Sequence, residues 1–251
     1  MLGRLVENSR QEVAAGTYEA GGDGSGCGTG LAEVVRARRG RAVIAEVKFA
    51  SPSRGTITSG DPAGIARRME AGGAAAISVL TQPRLFGGSP GNLAAVRGAV
   101  GIPVLMKDII VDARQVDAAA RLGADCILLI QAVFDRGHAG NMGALLSRAR
   151  GLGLGVLVEA HDEGEFGRAA SSGADIVGIN NRDLDTLEVD PGTTCRVLGG
   201  GERDGPVISE SGISGPDDVR RLRGCGADGF LVGSAIMGGD VESATRGLAE
   251  A

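Results

Sequence analysis

Four times along this chain a Gly-Ala pair opens onto a short apolar run: Gly73-Ala74, Gly123-Ala124-Asp125, Gly173-Ala174-Asp175 and Gly226-Ala227-Asp228. Successive pairs lie 50, 50 and 53 residues apart. A helix that ends at glycine and a strand that starts just after it make a βα junction, and a period near fifty is the length of two βα units with every second junction marked. Four marked junctions therefore predict eight strands and a closed (β/α)8 TIM barrel, a single domain of the usual size for 251 residues. Residues 1–40 read as an amino-terminal helix and linker capping the barrel, and residues 41–251 as the barrel itself.

β-Branched runs bounded by turn residues place the strands at 42–47, 76–80, 103–106, 126–130, 156–158, 176–179, 207–209 and 230–232, with amphipathic helical segments such as 62–71, 113–122 and 216–223 between them. An open doubly wound sheet can be built from the same alternation. The regular spacing favours closure.

Glycine is over-represented, 44 of 251 residues, against about 7% on average. The alternating run from Gly21 to Gly30 never forms G-x-G-x-x-G or a P-loop, so it reads as a flexible linker. Arg36, Arg38, Arg39 and Arg41 read as a solvated face. A net charge of −5 without a basic stripe argues against nucleic acid, and no apolar stretch is long enough for a membrane. The first residues space Leu2, Leu5, Val6 and Val13 like a helix face rather than a signal peptide, so a cytoplasmic protein is expected. Four cysteines without C-x-x-C spacing read as reduced packing residues, and His138 and His161 lack the paired spacing of metal ligands.

Barrel enzymes place their chemistry at the carboxyl ends of the strands. There the sequence offers Glu46 and Lys48, Lys107 and Asp108, Gln131, Glu159, Asn180 and Asn181, Glu210, and two small-residue loops, Ser211-Gly212 and Gly233-Ser234. Any one charge could fill the top layer of a barrel in an ion pair. Two lysines, three glutamates and an asparagine on one rim predict an acid–base site without a metal. The loops after strands seven and eight, with Ser51 after strand one, predict a phosphate held on backbone N–H groups, hence a small phosphorylated substrate.

The strand-end segments read AEVKFASPSRG at 45–55, SVLT at 78–81 with FGGS at 86–89, PVLMKD at 103–108, VLVE at 156–159, GINNR at 178–182 and SESGI at 209–213. Together they resemble the indole-3-glycerol phosphate synthase family. The resemblance runs from residue 41 to 237. It implies cofactor-free conversion of 1-(2-carboxyphenylamino)-1-deoxyribulose 5-phosphate to indole-3-glycerol phosphate, CO2 and water, in tryptophan biosynthesis. On that resemblance Lys107 is the acid, Lys48 and Glu159 take part in dehydration, with the two lysines able to exchange roles, and Glu46 orients Lys48. Asn180 and Glu210 hold sugar hydroxyls and Arg182 contacts an anion. Phe86 and Leu129 line the anthranilate pocket, where Ile109 stands in place of the family's usual phenylalanine. Ser51, Ser211, Gly212, Gly233 and Ser234 carry phosphate. Phe49 also departs from the family, which often has a basic residue there, and the segment before strand one is short and glycine-rich. Phosphoribosylanthranilate isomerase, a related barrel, would want a cysteine on strand one, and a noncatalytic paralogue would more naturally have lost a lysine or Glu159. An acidic helical exterior suits a monomer or weak homodimer.

Overall fold

The computed structural model describes residues 1–19, 21–52, 55–199 and 203–251. Eight parallel strands run in chain order around a closed barrel: β1 Ala42–Val47, β2 Ala76–Leu80, β3 Val104–Lys107, β4 Cys126–Ile130, β5 Gly155–Ala160, β6 Ile176–Asn180, β7 Val207–Glu210 and β8 Gly229–Val232. β8 pairs with β1, Ala42 opposite Gly229 and Ala45 opposite Val232, which closes the ring and removes the doubly wound alternative. Helices follow the strands on the outside. The one spanning Ala113–Arg121 begins in a capping box in which Asp112 and Gln115 satisfy each other's backbone N–H groups.

The repeat has a two-part physical explanation. Gly73, Gly123, Gly173 and Gly226 all take left-handed φ, +91°, +80°, +88° and +103°, a conformation that ends a helix without a Cβ clash. The aspartate that follows in three copies is a latch at the amino-terminal end of the barrel. Asp125, Asp175 and Asp228 accept, through Oδ2, the N–H of Val104, Val156 and Val207 on the preceding odd strand, each at 2.8 Å. Each aspartate N–H donates back to the carbonyl of the same valine, at 2.9, 3.0 and 2.7 Å. The first copy has Ala75 in this place and keeps only the backbone half, Ala75 N–H to Val43 O at 2.8 Å.

Side chains alternate along each strand. Ala42, Ile44, Leu105, Leu128, Leu157 and Ile208 fall into the cluster inside the barrel, whereas Val43, Ala45, Leu129 and Val158 belong to the cluster under the helices. The two amino-terminal helices serve opposite ends. α2 (Leu31–Arg38) adds Leu31 and Val35 to the inner cluster beside β1. α1 (Leu2–Ala14) lies at the mouth, where Ser9 Oγ donates to Ile109 O at 2.5 Å.

Between these helices the glycine-rich run is a packed strip, contrary to the flexible linker expected from composition. Gly24 N–H donates to Arg121 O at 2.9 Å and bridges Leu122, and Cys27 N–H donates to Asp125 Oδ1 at 2.7 Å. A Cβ at Gly22, Gly24 or Gly26 would collide with Arg121 O, the Leu122 backbone or the Asp125 carboxylate. From Gly22 to Gly26 the alternation of glycine is thus the period of an extended segment whose every second residue is pressed against its neighbours.

The cysteine expectation also needs correction. Cys195 and Cys225 form a disulfide with Cα atoms 5.0 Å apart, joining the helices Thr193–Leu198 and Pro216–Gly224, while Cys27 and Cys126 are free. Absence of C-x-x-C spacing says nothing about two helices that the barrel sets side by side 30 residues apart. Beyond β1, Ala50–Ser51 pairs antiparallel with Gly55–Thr56; Ser53 and Arg54, part of the family-like segment, lie outside the described residues. Among the described residues no helix is long and apolar enough to cross a membrane.

Candidate active site

The last inward positions of β1, β3, β5 and β7 are Glu46, Lys107, Glu159 and Glu210, and all four line one cavity at the carboxyl end of the barrel. The cavity and its open outer end together hold about 1050 Å³ of non-atom space. Lys107 Nζ sits between two carboxylates, 2.6 Å from Glu210 Oε2 and 3.4 Å from Glu159 Oε2. Asn180 Nδ2 donates to the other oxygen of Glu159 at 2.9 Å, fixing that carboxylate's rotation. Lys48 Nζ pairs with Glu46 Oε2 at 3.2 Å.

Two strand-region glycines make room for these groups. A Cβ at Gly178 would run into Glu210 Oε1, and one at Gly233 into Glu46 Oε2. The small residues of the even strands are therefore counterparts of the large carboxylates of the odd strands.

Burial alone would push the Lys107 ammonium down, but the Glu210, Glu159 and Glu46 carboxylates reverse this and hold it above its usual value. Glu210 is pushed up by burial, against the pull of Lys107 and with the Glu159 and Glu46 charges adding to the rise. Its Oε1 is buried with no hydrogen-bond partner among the described residues. A buried acceptor left empty is expensive, so it is a ready place for a ligand hydroxyl or N–H.

The phosphate candidates Ser51, Ser211, Gly212, Gly233 and Ser234 line the same cavity, as do Phe86, Ile109 and Arg182. Ser211 and Gly212 take consecutive left-handed φ values of +66° and +75° where the chain borders the cavity. Arg182 is tied back, its N–H donating to Asn180 Oδ1 at 2.9 Å and its Nη1 to Leu187 O at 2.6 Å. Four carboxylates, those of Glu46, Asp108, Glu159 and Glu210, thus line the cavity with two ammoniums and one guanidinium.

Leu129 is the residue the structure moves out of the group. It lies on the outer face of β4 under the helices, and the neighbours that line the cavity are Leu128 and Ile130. The register shows why: Ile130 is opposite Glu159, so even-numbered residues of β4 share the inward face. Gln82 is a lining residue that the sequence reading omits. Its Oε1 accepts the Leu85 N–H at 3.2 Å, while its buried Nε2 has no partner among the described residues. The available signal was position, since Gln82 follows β2 much as Lys107 ends β3.

Asp108 is held by three neutral donors, Tyr18 Oη at 2.7 Å, Thr81 Oγ1 at 2.5 Å and Ile109 N–H at 2.7 Å. Burial outweighs these bonds and pushes its carboxyl up to about 6. A carboxyl raised on folding contributes stability that is fully present below its unfolded value and lost as pH rises through its folded value. Relative to Asp108→Asn, which does not titrate, the native chain is expected to lose on the order of 2 to 3 kcal/mol of unfolding free energy between about pH 4 and about pH 7. Denaturant titrations across that range measure it; a difference independent of pH would mean that Asp108 ionises normally.

The chain as a whole is similar to known proteins. The family model described as indole-3-glycerol phosphate synthase matches residues 5–248. A curated relative of that name from Halobacterium salinarum is 49% identical, with 83% of this chain and 80% of the relative covered. One from Nocardioides sp. is 50% identical, covering 82% of this chain and 79% of the relative. Among solved structures, thiamine phosphate pyrophosphorylase from Pyrococcus furiosus superposes with a TM-score of 0.63 at 19% identity, covering 85% of this chain and 96% of that one. The last likeness is one of fold alone.

Proposed function

Because the chain belongs to the indole-3-glycerol phosphate synthase family, we propose that its barrel mouth closes the indole ring of 1-(2-carboxyphenylamino)-1-deoxyribulose 5-phosphate, releasing CO2 and water in tryptophan biosynthesis. The observation that carries the residue-level reading is the Lys107 ammonium suspended between Glu210 and Glu159, in a cavity lined also by apolar side chains and by the left-handed Ser211-Gly212 turn.

The arylamine nitrogen feeds electron density to the ring carbon that bears the carboxylate. That carbon attacks the sugar ketone, and as the new C–C bond forms the carbonyl π pair moves onto oxygen, which takes a proton from Lys107. An ammonium held above its usual pKa is a weak acid toward water. The oxygen it serves becomes an alkoxide, more basic than any amine, so the transfer remains downhill while the charge stabilises the oxyanion throughout. The bond to the carboxylate then breaks, its electron pair restores aromaticity and CO2 departs. In dehydration the new hydroxyl leaves with a proton from Lys48 or a reprotonated Lys107. Glu159 takes the proton from the adjacent methylene carbon, and the pyrrole double bond forms. Overall one proton is consumed from solvent.

Asn180 and the empty Oε1 of Glu210 meet sugar hydroxyls, Arg182 supports an anionic group, and Phe86, Ile109 and Leu128 enclose the aryl ring. Glu46 orients Lys48. Ser51, Ser211, Gly212, Gly233 and Ser234 receive the phosphate. The same reading has the enzyme acting in the cytoplasm as a monomer or weak homodimer.

The test has a dark background, because the chain contains no Trp and a single Tyr. Adding the carboxyphenylamino-deoxyribulose phosphate should produce indole emission that grows with enzyme concentration, with one CO2 released per indole. Saturable binding without growth of that emission would make the chain a noncatalytic phosphate-ligand binder.

A further inference from the structure

Asn180 and Asn181 are adjacent at the end of β6, and alternation sends them to different places. Asn180 reaches Glu159 in the mouth; Asn181 is 1% exposed and turns into a polar cluster behind it. All four hydrogen-bonding positions of the Asn181 amide are used. Its Nδ2 donates to Ser209 Oγ at 3.1 Å and to Ser211 O at 3.0 Å, and its Oδ1 accepts from Thr194 N–H at 3.0 Å and Thr194 Oγ1 at 2.8 Å. Thr194 Oγ1 also meets Ser209 Oγ at 2.7 Å.

One of these bonds reaches the loop after β7. The described chain contains no cis peptide, and in a trans peptide the C=O and the following N–H point in opposite directions. With Ser211 O drawn back to Asn181, the N–H of Gly212 is turned the other way, toward the cavity that Ser211 and Gly212 line. That orientation requires Ser211 at φ +66°, unusual for a residue with a side chain, and Gly212 at +75°, where a Cβ would press on Val189. A strained peptide orientation persists only where its surroundings hold it.

We propose that Asn181 is a positioning residue for substrate phosphate: by anchoring Ser211 O it presents the Gly212 N–H to the anion. Thr194 is its support, fixing which way round the amide sits. The proposal rests on the reading that the phosphate lies against Ser211-Gly212, and it adds a residue that never touches the ligand. Preorganised donors lose affinity when their orientation is released, because the binding step must then restore it. The loss falls on ground state and transition state alike, so it belongs to KM rather than to kcat.

The experiment compares the native chain, Asn181→Ala and Thr194→Val, using inorganic phosphate as the probe and a competitive inhibitor of indole formation. In Asn181→Ala the phosphate Ki and the substrate KM should both rise about tenfold, with kcat changed by less than about threefold. Thr194→Val keeps the amide but removes one of its supports, and should raise both constants about threefold. It carries the test by itself if Asn181→Ala does not fold. Unchanged Ki and KM in the folded variants, with phosphate competing normally in the native chain, would overturn the role of Asn181 alone. Failure of phosphate to compete in the native chain would instead overturn the phosphate placement beneath it. A fall in kcat with KM unchanged would show that Asn181 acts on the catalytic carboxylates, contrary to the proposal.

Discussion

Lys107→Ala is expected to lower kcat by about 10³-fold, with KM changed far less, when indole formation is followed at saturating substrate. Two physical losses combine. The proton donor disappears, and so does the positive charge beside the oxygen that becomes an alkoxide. Among the described residues Lys107 is also the only ammonium that bridges two carboxylates, and these are 1% and 5% exposed. Without it the buried Glu210 and Glu159 carboxylates lose the cation that lies between them. Lys48→Ala should have a smaller effect, since among the described residues Lys48 pairs with Glu46 alone and it is the more exposed of the two lysines. Equal losses in the two variants would mean that the lysines share the acid role.

Asp125→Ala is expected to destabilise the fold by about 3 kcal/mol, lowering Tm by roughly 6 to 12 °C. Its carboxylate accepts from Val104 N–H, from Cys27 N–H and from Arg97 Nη1, and the Arg97 ion pair is itself buried. Removing it leaves two inward-turned backbone donors and weakens the anchorage of a guanidinium, while also freeing the glycine strip. Asp175→Ala removes one backbone acceptor bond and is the internal comparison, with an expected loss of about 1 kcal/mol. Thermal melts of the two variants against the native chain measure the difference. Identical shifts would mean that Asp125 is no more than another copy of the latch.

These two residues show which parts of the molecule were legible in the sequence. The Gly-Ala-Asp recurrence placed the even strands because a left-handed glycine at a helix end is a local, chain-encoded event. Alternation then put Glu46, Lys107, Glu159 and Glu210 at the strand ends, and the structure gathers them into one cavity. What was not legible depends on register or on neighbours far apart in sequence. Leu129 and Leu128 are equally apolar, and only the pairing of Ile130 with Glu159 decides between them. Gly22, Gly24 and Gly26 look like a linker until the end of the Ala113–Arg121 helix is set against them. Cys195 and Cys225 become partners because two consecutive helices outside the barrel are neighbours. The latch function of the aspartates was hidden similarly, since each bonds a valine about twenty residues earlier.

Chemical rescue shows whether one ammonium on β3 delivers the proton that closes the ring. Lys107→Ala, saturated with substrate, is titrated with small primary alkylammonium ions that can enter the vacated space, while indole emission reports turnover. The expected result is that kcat rises with ammonium concentration, that compact amines rescue better than branched ones, and that a quaternary ammonium of similar size, carrying charge but no proton, restores at most a small part of the rate. Turnover of Lys107→Ala at the native rate without added amine, or equal rescue by the quaternary ion, would contradict it.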